Sequence, residues 1–235
     1  MTVIYTVITN QYDSLQQFNF AKLKGIEYIV ISDYKTLLFV PSHVKVLRFR
    51  NSLGDPEKFN RYYKFNAHRY LDYEKFLYID ANLNVPTELI KIIRLKSYSY
   101  FIEHPFRSNI IEELEAIEKY KNIQLFDLVK SEVKTELWES KVKNIELTQN
   151  SIFCYLKSDK EFLRLLDDTY QNYLKLRRDQ IALIVARYRR DYSPYMEPKD
   201  IWDFVTKNDH LSGNLFSRYL KVLKGQIRYK MTKWN

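Results

Sequence analysis

Val3 to Thr9 and Tyr28 to Ser32 are short apolar runs rich in β-branched residues, and each is closed by a polar residue, Asn10 and Asp33 respectively. Phe76-Leu77-Tyr78-Ile79 repeats the pattern before Asp80. Continuous apolar runs of this length suit strands buried on both faces, as in a parallel sheet covered by helices. Val44 to Phe49, Tyr98 to Ile102 and Ile152 to Leu156 supply further strand candidates. Helical stretches alternate with them. Ser14 to Lys24 has Gly25 as its stop, and Pro56 opens Glu57 to Tyr70. Further helices are predicted at Pro86 to Leu95, Ser108 to Tyr120, Asp159 to Leu176 and Arg178 to Arg189. Phe126 to Lys143 carries a weaker helical pattern. The alternation predicts an α/β fold with a mixed, Rossmann-like sheet flanked by helices.

The chain has 235 residues, of which 46% are hydrophobic, and no Pro/Gly/Ser-rich stretch separates two folding units. One domain over residues 1–190 with a basic helical extension over 191–235 is expected. The single cysteine, Cys154, lies in an apolar run and reads as a buried, inert thiol. The start, Met1-Thr2-Val3, has no basic lead, and no apolar run approaches the roughly 18 residues of a membrane span. A cytoplasmic location is expected. The net charge of +9 is placed unevenly: from Gln171 onward there are 14 Lys and Arg against 6 Asp and Glu. That end is expected to meet something anionic.

Asp80-Ala81-Asn82 stands where a buried strand runs out. In an extended chain, residues i and i+2 point the same way, so the Asp80 carboxylate and Asn82 amide could present oxygens to one spot. Such hard donors suit Mg²⁺ or Mn²⁺, although an Asp at a strand end is more commonly a turn or cap former. Arg61, Lys64 and His68 recur at i, i+3 and i+7, so they could form a positive stripe on one helix face or simply a solvated one. His104 follows an apolar strand and precedes Pro105, at a strand end where sheet enzymes bind ligands. Arg107 and Glu113 are close enough to pair around the following helix. Asp179 and Gln180 follow Arg177 and Arg178 at a helix start, as caps or as groups facing a substrate. His210, in Asp209-His210-Leu211, could be a late metal or diphosphate ligand.

Taken in order, several elements resemble a known family. They are Ile4 to Thr9 with Tyr12-Asp13, Ile31-Ser32-Asp33, Asn60-Arg61-Tyr62-Tyr63-Lys64 with His68, Asp80-Ala81-Asn82, Glu103-His104-Pro105-Phe106-Arg107 with Glu113, and Arg177-Arg178-Asp179-Gln180. Over about residues 3 to 188 the chain resembles the glycosyltransferase-like domain of plant turgor-regulation and mucilage-related proteins, once a domain of unknown function. Bacterial members of that family stand beside polysaccharide genes, so a place in polysaccharide biosynthesis, of capsule or lipopolysaccharide, is expected. In place of its basic residue after the late strand the chain has Cys154-Tyr155, and in place of its tryptophan Tyr170 and Tyr173.

The resemblance implies a GT-A fold and a metal-assisted transfer of sugar from a nucleotide-sugar donor, expected to be UDP-linked, to a glycan or lipid-linked glycan. It implies Asp80, Ala81 and Asn82 in the Asp-x-Asp position, with Mn²⁺ or Mg²⁺ held by Asp80 and Asn82; His210 lies beyond the resemblance and is a further metal-ligand candidate by its residue type alone. Thr6, Thr9, Asn10 and Tyr12 with Asp33 would line the base and ribose pocket. Arg61 and Lys64 would neutralise the donor diphosphate, assisted by His68, and Arg178 is a further donor-binding candidate. Asp179, Gln180 and His104 would be catalytic, Asp179 as base if configuration inverts and as a positioning group if it is retained.

From Asn214 to Arg228, Leu215, Phe216, Tyr219, Leu220, Val222, Leu223 and Ile227 share one half of a helical projection, and Arg218, Lys221, Lys224 and Arg228 the other. This helix could pack on the core or contact a membrane peripherally. The alternative function classes are a basic nucleic-acid or anionic-membrane binding module and a nucleotide-sugar-binding protein without transfer activity. The near-neutral first 170 residues and the acidic Asp80 turn speak against nucleic acid.

Overall fold

The structure is a computed structural model that describes residues 1–13, 15, 18–121, 124–133, 142 and 145–232, with backbone alone for 121 and 225–232. Seven strands form one mixed sheet in the order β3-β2-β1-β4-β7-β6-β8. These are β1 (Thr2–Ile8), β2 (Ile26–Asp33), β3 (Val44–Phe49), β4 (Lys75–Ile79), β6 (Tyr100–Glu103), β7 (Thr148–Leu156) and β8 (Tyr195–Glu197). β1, β2, β3 and β4 are mutually parallel, β7 runs antiparallel to both β4 and β6, and β8 is parallel to β6. A second, two-stranded sheet joins β5 (Leu83–Asn84) to β9 (Thr206–Lys207).

Among the described residues seven α-helices accompany the sheets: α1 (Pro56–Asn66), α2 (Thr87–Leu95), α3 (Ile110–Lys121), α4 (Phe126–Glu132), α5 (Lys160–Leu176), α6 (Asp179–Arg190) and α7 (Leu215–Thr232). Side chains alternate across the strands, so each face of the sheet has its own core. Val3, Tyr5 and Val7 pack with Phe76, Tyr78 and Phe153 against Phe59 and Phe65 of α1, Phe162 and Leu165 of α5, and Ala182 and Ala186 of α6. Ile4, Ile8, Val30, Leu77 and Cys154 take the other face, against Leu89, Ile90 and Ile93 of α2. Buried Lys75 donates to the Arg94 and Lys96 carbonyls, covering the orphan acceptors at the end of α2.

Local chemistry accounts for the helix ends nearest the crevice. Asp55 caps α1 by accepting from the Glu57 and Lys58 amides, with Pro56 as the first helical residue, a cap that contributes about 1 kcal/mol. Arg177 takes the left-handed conformation, φ 55°, and its N–H donates to the Tyr173 carbonyl, ending α5. The chain therefore turns back at once, and Asp179 enters the first turn of α6 with its side chain buried.

The helix expected over Ser14 to Lys24 is not found in its described residues; residues 14, 16 and 17 lie outside them. Asn19 accepts from the Ala21 amide and donates to the Val85 carbonyl and Thr87 hydroxyl, local bonds that compete with a helix. Leu15 and Phe18 are buried all the same. Gly25, at φ 76°, turns the chain into β2 rather than ending a helix. Of Phe126 to Lys143, Phe126–Glu132 is helical, and most of the remainder lies outside the described residues. The segment after Arg190 is not wholly helical, since β8 extends the main sheet and β9 pairs with β5. Among the described residues no helix is long and apolar enough to cross a membrane.

Candidate active site

β2 and β3 lie to one side of β1 and β4 to the other, so the loops leaving the carboxyl ends of β1 and β4 diverge. In an open α/β sheet such a switch point opens a crevice. A cavity of about 710 Å³ lies there, within the range of small-molecule sites. It gathers Thr9, Asn10 and Tyr12 after β1, Asp80, Ala81 and Asn82 after β4, and His104 after β6 with Arg61 of α1. Arg178, Asp179 and Gln180 from the α5–α6 turn and His210 from the C-terminal segment complete it.

The loop after β1 is held in an uncommon shape. Asn10 and Gln11 both have φ 51°, with the Tyr12 amide donating to the Thr9 carbonyl. Gln is rarely left-handed, and strain of this kind persists where surroundings over-determine it. Here the Gln11 side chain exchanges two hydrogen bonds with Leu37, and the Asn10 amide donates to the Asp33 carboxylate at 3.1 Å. Asp80, Ala81 and Asn82 form a turn rather than the expected extended run, with the Leu83 amide donating to the Asp80 carbonyl. Both side chains still border the cavity.

Asp179 is the hub of the cavity floor. Lys64 Nζ lies 3.1 Å from its carboxylate and Arg61 Nε 3.4 Å, while Lys64 also reaches Asp80 at 3.7 Å. Burial works against a charge on Asp179, but Arg61, Lys64 and Arg178 overcome it and hold its pKa well below the usual carboxylate range. A carboxylate so engaged is a poor proton acceptor and a good anchor for Arg61. Beside it Gln180 Oε1 and Asn150 Nδ2 are buried without a hydrogen-bond partner, and both residues line the cavity. An unpaired acceptor and an unpaired donor are what a hydroxyl-bearing ligand would satisfy.

The fully buried Glu113 carboxylate binds two arginines, Arg107 through one oxygen and Arg178 through the other, the latter at 2.7 Å. The expected Arg107–Glu113 pair is thus present and extends to Arg178. His104 Nδ1 accepts from the Phe106 and Arg107 amides, which leaves the ring proton on Nε2. Burial, and next the Arg107 charge, push its pKa down to about 4, so the imidazole is neutral at pH 7.

The C-terminal segment completes the cavity. β9 pairs with β5, Asn208 and Asn82 exchange hydrogen bonds, and the Leu211 amide donates to the Tyr12 carbonyl. This brings in Lys207, His210 and Arg218. His210 Nδ1 lies 2.6 Å from Asp13, and its ring lies tilted against Tyr12 with centroids 4.3 Å apart. Arg218 donates to the Asn10 carbonyl at 3.2 Å, and its guanidinium lies 5.7 Å from the centre of the Tyr12 ring.

Four expected donor-binding residues stand elsewhere. Thr6 is buried inside β1 and is not among the cavity-lining residues, because strand alternation turns Val7 and Thr9 toward the cavity and Thr6 away. The Asp33 carboxylate is taken up by the Asn10 amide and the Thr36 hydroxyl, so it braces the loop from behind. Lys64 is buried beneath the floor, its charge committed to Asp179 and Asp80. His68 lies apart from the cavity, because α1 ends at Asn66 and a 3₁₀ turn over Ala67–Arg69 breaks the helical register; its ring meets the edge of Tyr155. Conversely, Lys207, Asn150 and Trp202 line the cavity without having stood out in sequence, and Arg218, read there only as part of a basic helix face, lines it as well. Two-residue strands and contacts spanning 208 positions leave no local signature.

Among the described residues no group of three or more His, Cys, Asp or Glu is arranged to hold a metal ion. Asp80 and Asn82 nevertheless suit an ion that takes one or two protein oxygens and completes its shell with phosphate and water. Asn82 Nδ2 is engaged with the Asn208 carbonyl, so its side-chain oxygen is the group left for a ligand. His210 could contribute only through Nε2, Nδ1 being held by Asp13. No protein-family model and no curated protein matches the chain.

Proposed function

We propose that the chain is a metal-assisted glycosyltransferase of the GT-A class, moving a sugar from a nucleotide-sugar donor to a glycan or lipid-linked glycan. The observation that carries this is the convergence, at the β1/β4 switch point, of the Asp80-Ala81-Asn82 turn with Arg61, Arg178, Asp179, Gln180 and His104. The mixed sheet flanked by helices supports the fold class.

The nucleoside would lie against Tyr12 and the braced Thr9-Asn10 loop, where a ligand meets the carboxyl end of β1. Arg61 and Arg218, with Lys207 and Arg178 beyond them, would face the diphosphate. Asp80 and Asn82 would hold Mg²⁺ or Mn²⁺, which when bound neutralises charge on the departing diphosphate. Asp179 holds Arg61 in place rather than taking a proton, and this fits the positioning role expected of a retaining enzyme. Gln180 and Asn150 would read hydroxyls of the transferred sugar, and the neutral His104 would donate from Nε2.

Thermal unfolding of the purified chain with UDP, GDP, CMP or dTDP, each with and without Mn²⁺, tests the donor site. One nucleotide should stabilise the protein in a metal-dependent way, and Asp80→Asn should abolish the effect. No response to any nucleotide, together with salt-sensitive binding of DNA, would sink the proposal.

A further inference from the structure

Over its described side chains, Leu215 to Lys224, the C-terminal helix α7 docks by one face. Val222 is buried, the Arg218 guanidinium reaches the Asn10 carbonyl, and the Tyr219 hydroxyl donates to the Lys35 carbonyl. Phe216, Leu220 and Leu223 are left 69%, 40% and 41% exposed. At i, i+4 and i+7 they fall within about 60° of one another around the helix. Three large apolar side chains in one stripe are more than the scattered exposure of ordinary surfaces. Lys221 and Lys224, both exposed, flank the stripe on one side. The chain goes on to Arg228, Lys230 and Lys233.

We infer that this stripe rests on an anionic lipid surface, with α7 lying in the plane of the interface beside the mouth of the cavity. Apolar side chains bordered by lysines are the pattern of an interfacial helix, the former entering the acyl boundary and the latter meeting lipid phosphates. Charge decides between this and self-association. Two copies paired through the stripe would set Lys221 and Lys224 against their counterparts, whereas anionic headgroups complement them. A nucleic acid would leave the apolar stripe without a partner. α7 lies on the surface rather than crossing it, in keeping with the absence of a spanning helix among the described residues. Because Arg218 of the same helix borders the cavity, the lipid surface would sit where a lipid-linked acceptor could enter. The surface contact itself does not depend on the donor-site proposal.

Co-sedimentation of the full chain with phosphatidylcholine vesicles, with and without phosphatidylglycerol, tests the surface. Binding to the phosphatidylglycerol vesicles is expected, weakening as salt is raised. F216S/L220S/L223S should lower the partition coefficient by about tenfold or more with secondary structure and Tm retained. The exposed pair K221E/K224E, which leaves the apolar stripe intact, should remove the preference for phosphatidylglycerol. Failure to bind either vesicle overturns the inference, as does binding that both variants leave unchanged. A concentration-dependent dimer abolished by F216S/L220S/L223S would overturn it in favour of a second copy.

Discussion

Lys64 Nζ lies 3.1 Å from the Asp179 carboxylate, joining α1 to the first turn of α6 across 115 positions of sequence, and both side chains are almost wholly buried. The pair ties the two helices that frame the cavity floor. It also fixes the charge state of Asp179, the carboxylate that anchors Arg61.

Removing one member of such a pair leaves the other charge buried with fewer partners. Lys64→Met should therefore destabilise the fold by about 3 kcal/mol in urea denaturation. Lys64→Met combined with Asp179→Leu should cost clearly less than the two single changes added together. Strict additivity would show that the pair is not a coupled unit.

His104 gives a second, pH-dependent test. Its folded pKa, about 4, lies below its ordinary value of 6.5, so the unfolded chain binds the proton first. Its contribution is complete above pH 6.5 and is lost as pH falls from there toward 4, amounting to at most about 3 kcal/mol. The unfolding free energy of His104→Gln should fall less steeply than wild type over this window. His68, whose pKa burial also lowers, adds a slope of the same sign that both proteins share. Asp179 acts lower on the scale: its depressed pKa gives stability present above about pH 4 and lost as pH falls further.

Glu113 holds Arg107 and Arg178 on one buried carboxylate. Glu113→Gln keeps the shape and removes the charge, so about 3 kcal/mol of stability should be lost. Calorimetry should show Tm falling by roughly 6–12 °C for a chain of this size. A change within experimental error would mean that the two arginines find other partners.

Arg218 tests whether the C-terminal segment belongs to the site. With a nucleoside diphosphate bound at the switch point, Arg218→Ala should weaken binding by about tenfold, the loss of one charge-assisted contact. Isothermal titration at two salt concentrations checks both the loss and its electrostatic origin. Equal affinities for the variant and wild type would remove Arg218 from the site.

Cys154 is fully buried, and burial pushes its thiol up to about 12. In native protein a disulfide reagent such as DTNB should react only at the rate of unfolding and should titrate one thiol at once in urea. Rapid reaction under native conditions would contradict the packing of β7 against α2.

Much of the fold was legible locally. Val3 to Thr9 and Tyr28 to Ser32 read as strands because continuous apolar runs have few other uses in a chain of this kind, Val44 to Phe49 because β-branched and apolar residues recur among its charges, and all three are strands of the sheet. Pro56 after Asp55 marked the start of α1 through capping chemistry alone. Asp80, His104 and Asp179 were recognisable because each stands where a regular element begins or ends, and the ends of elements are where a sheet of this kind opens its crevice. Partnership was not legible. Arg61 and Lys64 are three residues apart on one helix, yet Arg61 borders the cavity while Lys64 is sealed beneath it. Thr6 and Thr9 sit in one apolar run, and only the pleat decides which of them meets the cavity. Arg218 comes to Asn10 because two-residue strands and a few backbone hydrogen bonds carry the C-terminal segment over the Asp80 turn. Periodicity and turn chemistry act over a few residues and are written along the chain. The pairing of charges and the depth of a side chain depend on which distant segments pack together, and only the tertiary structure decides that.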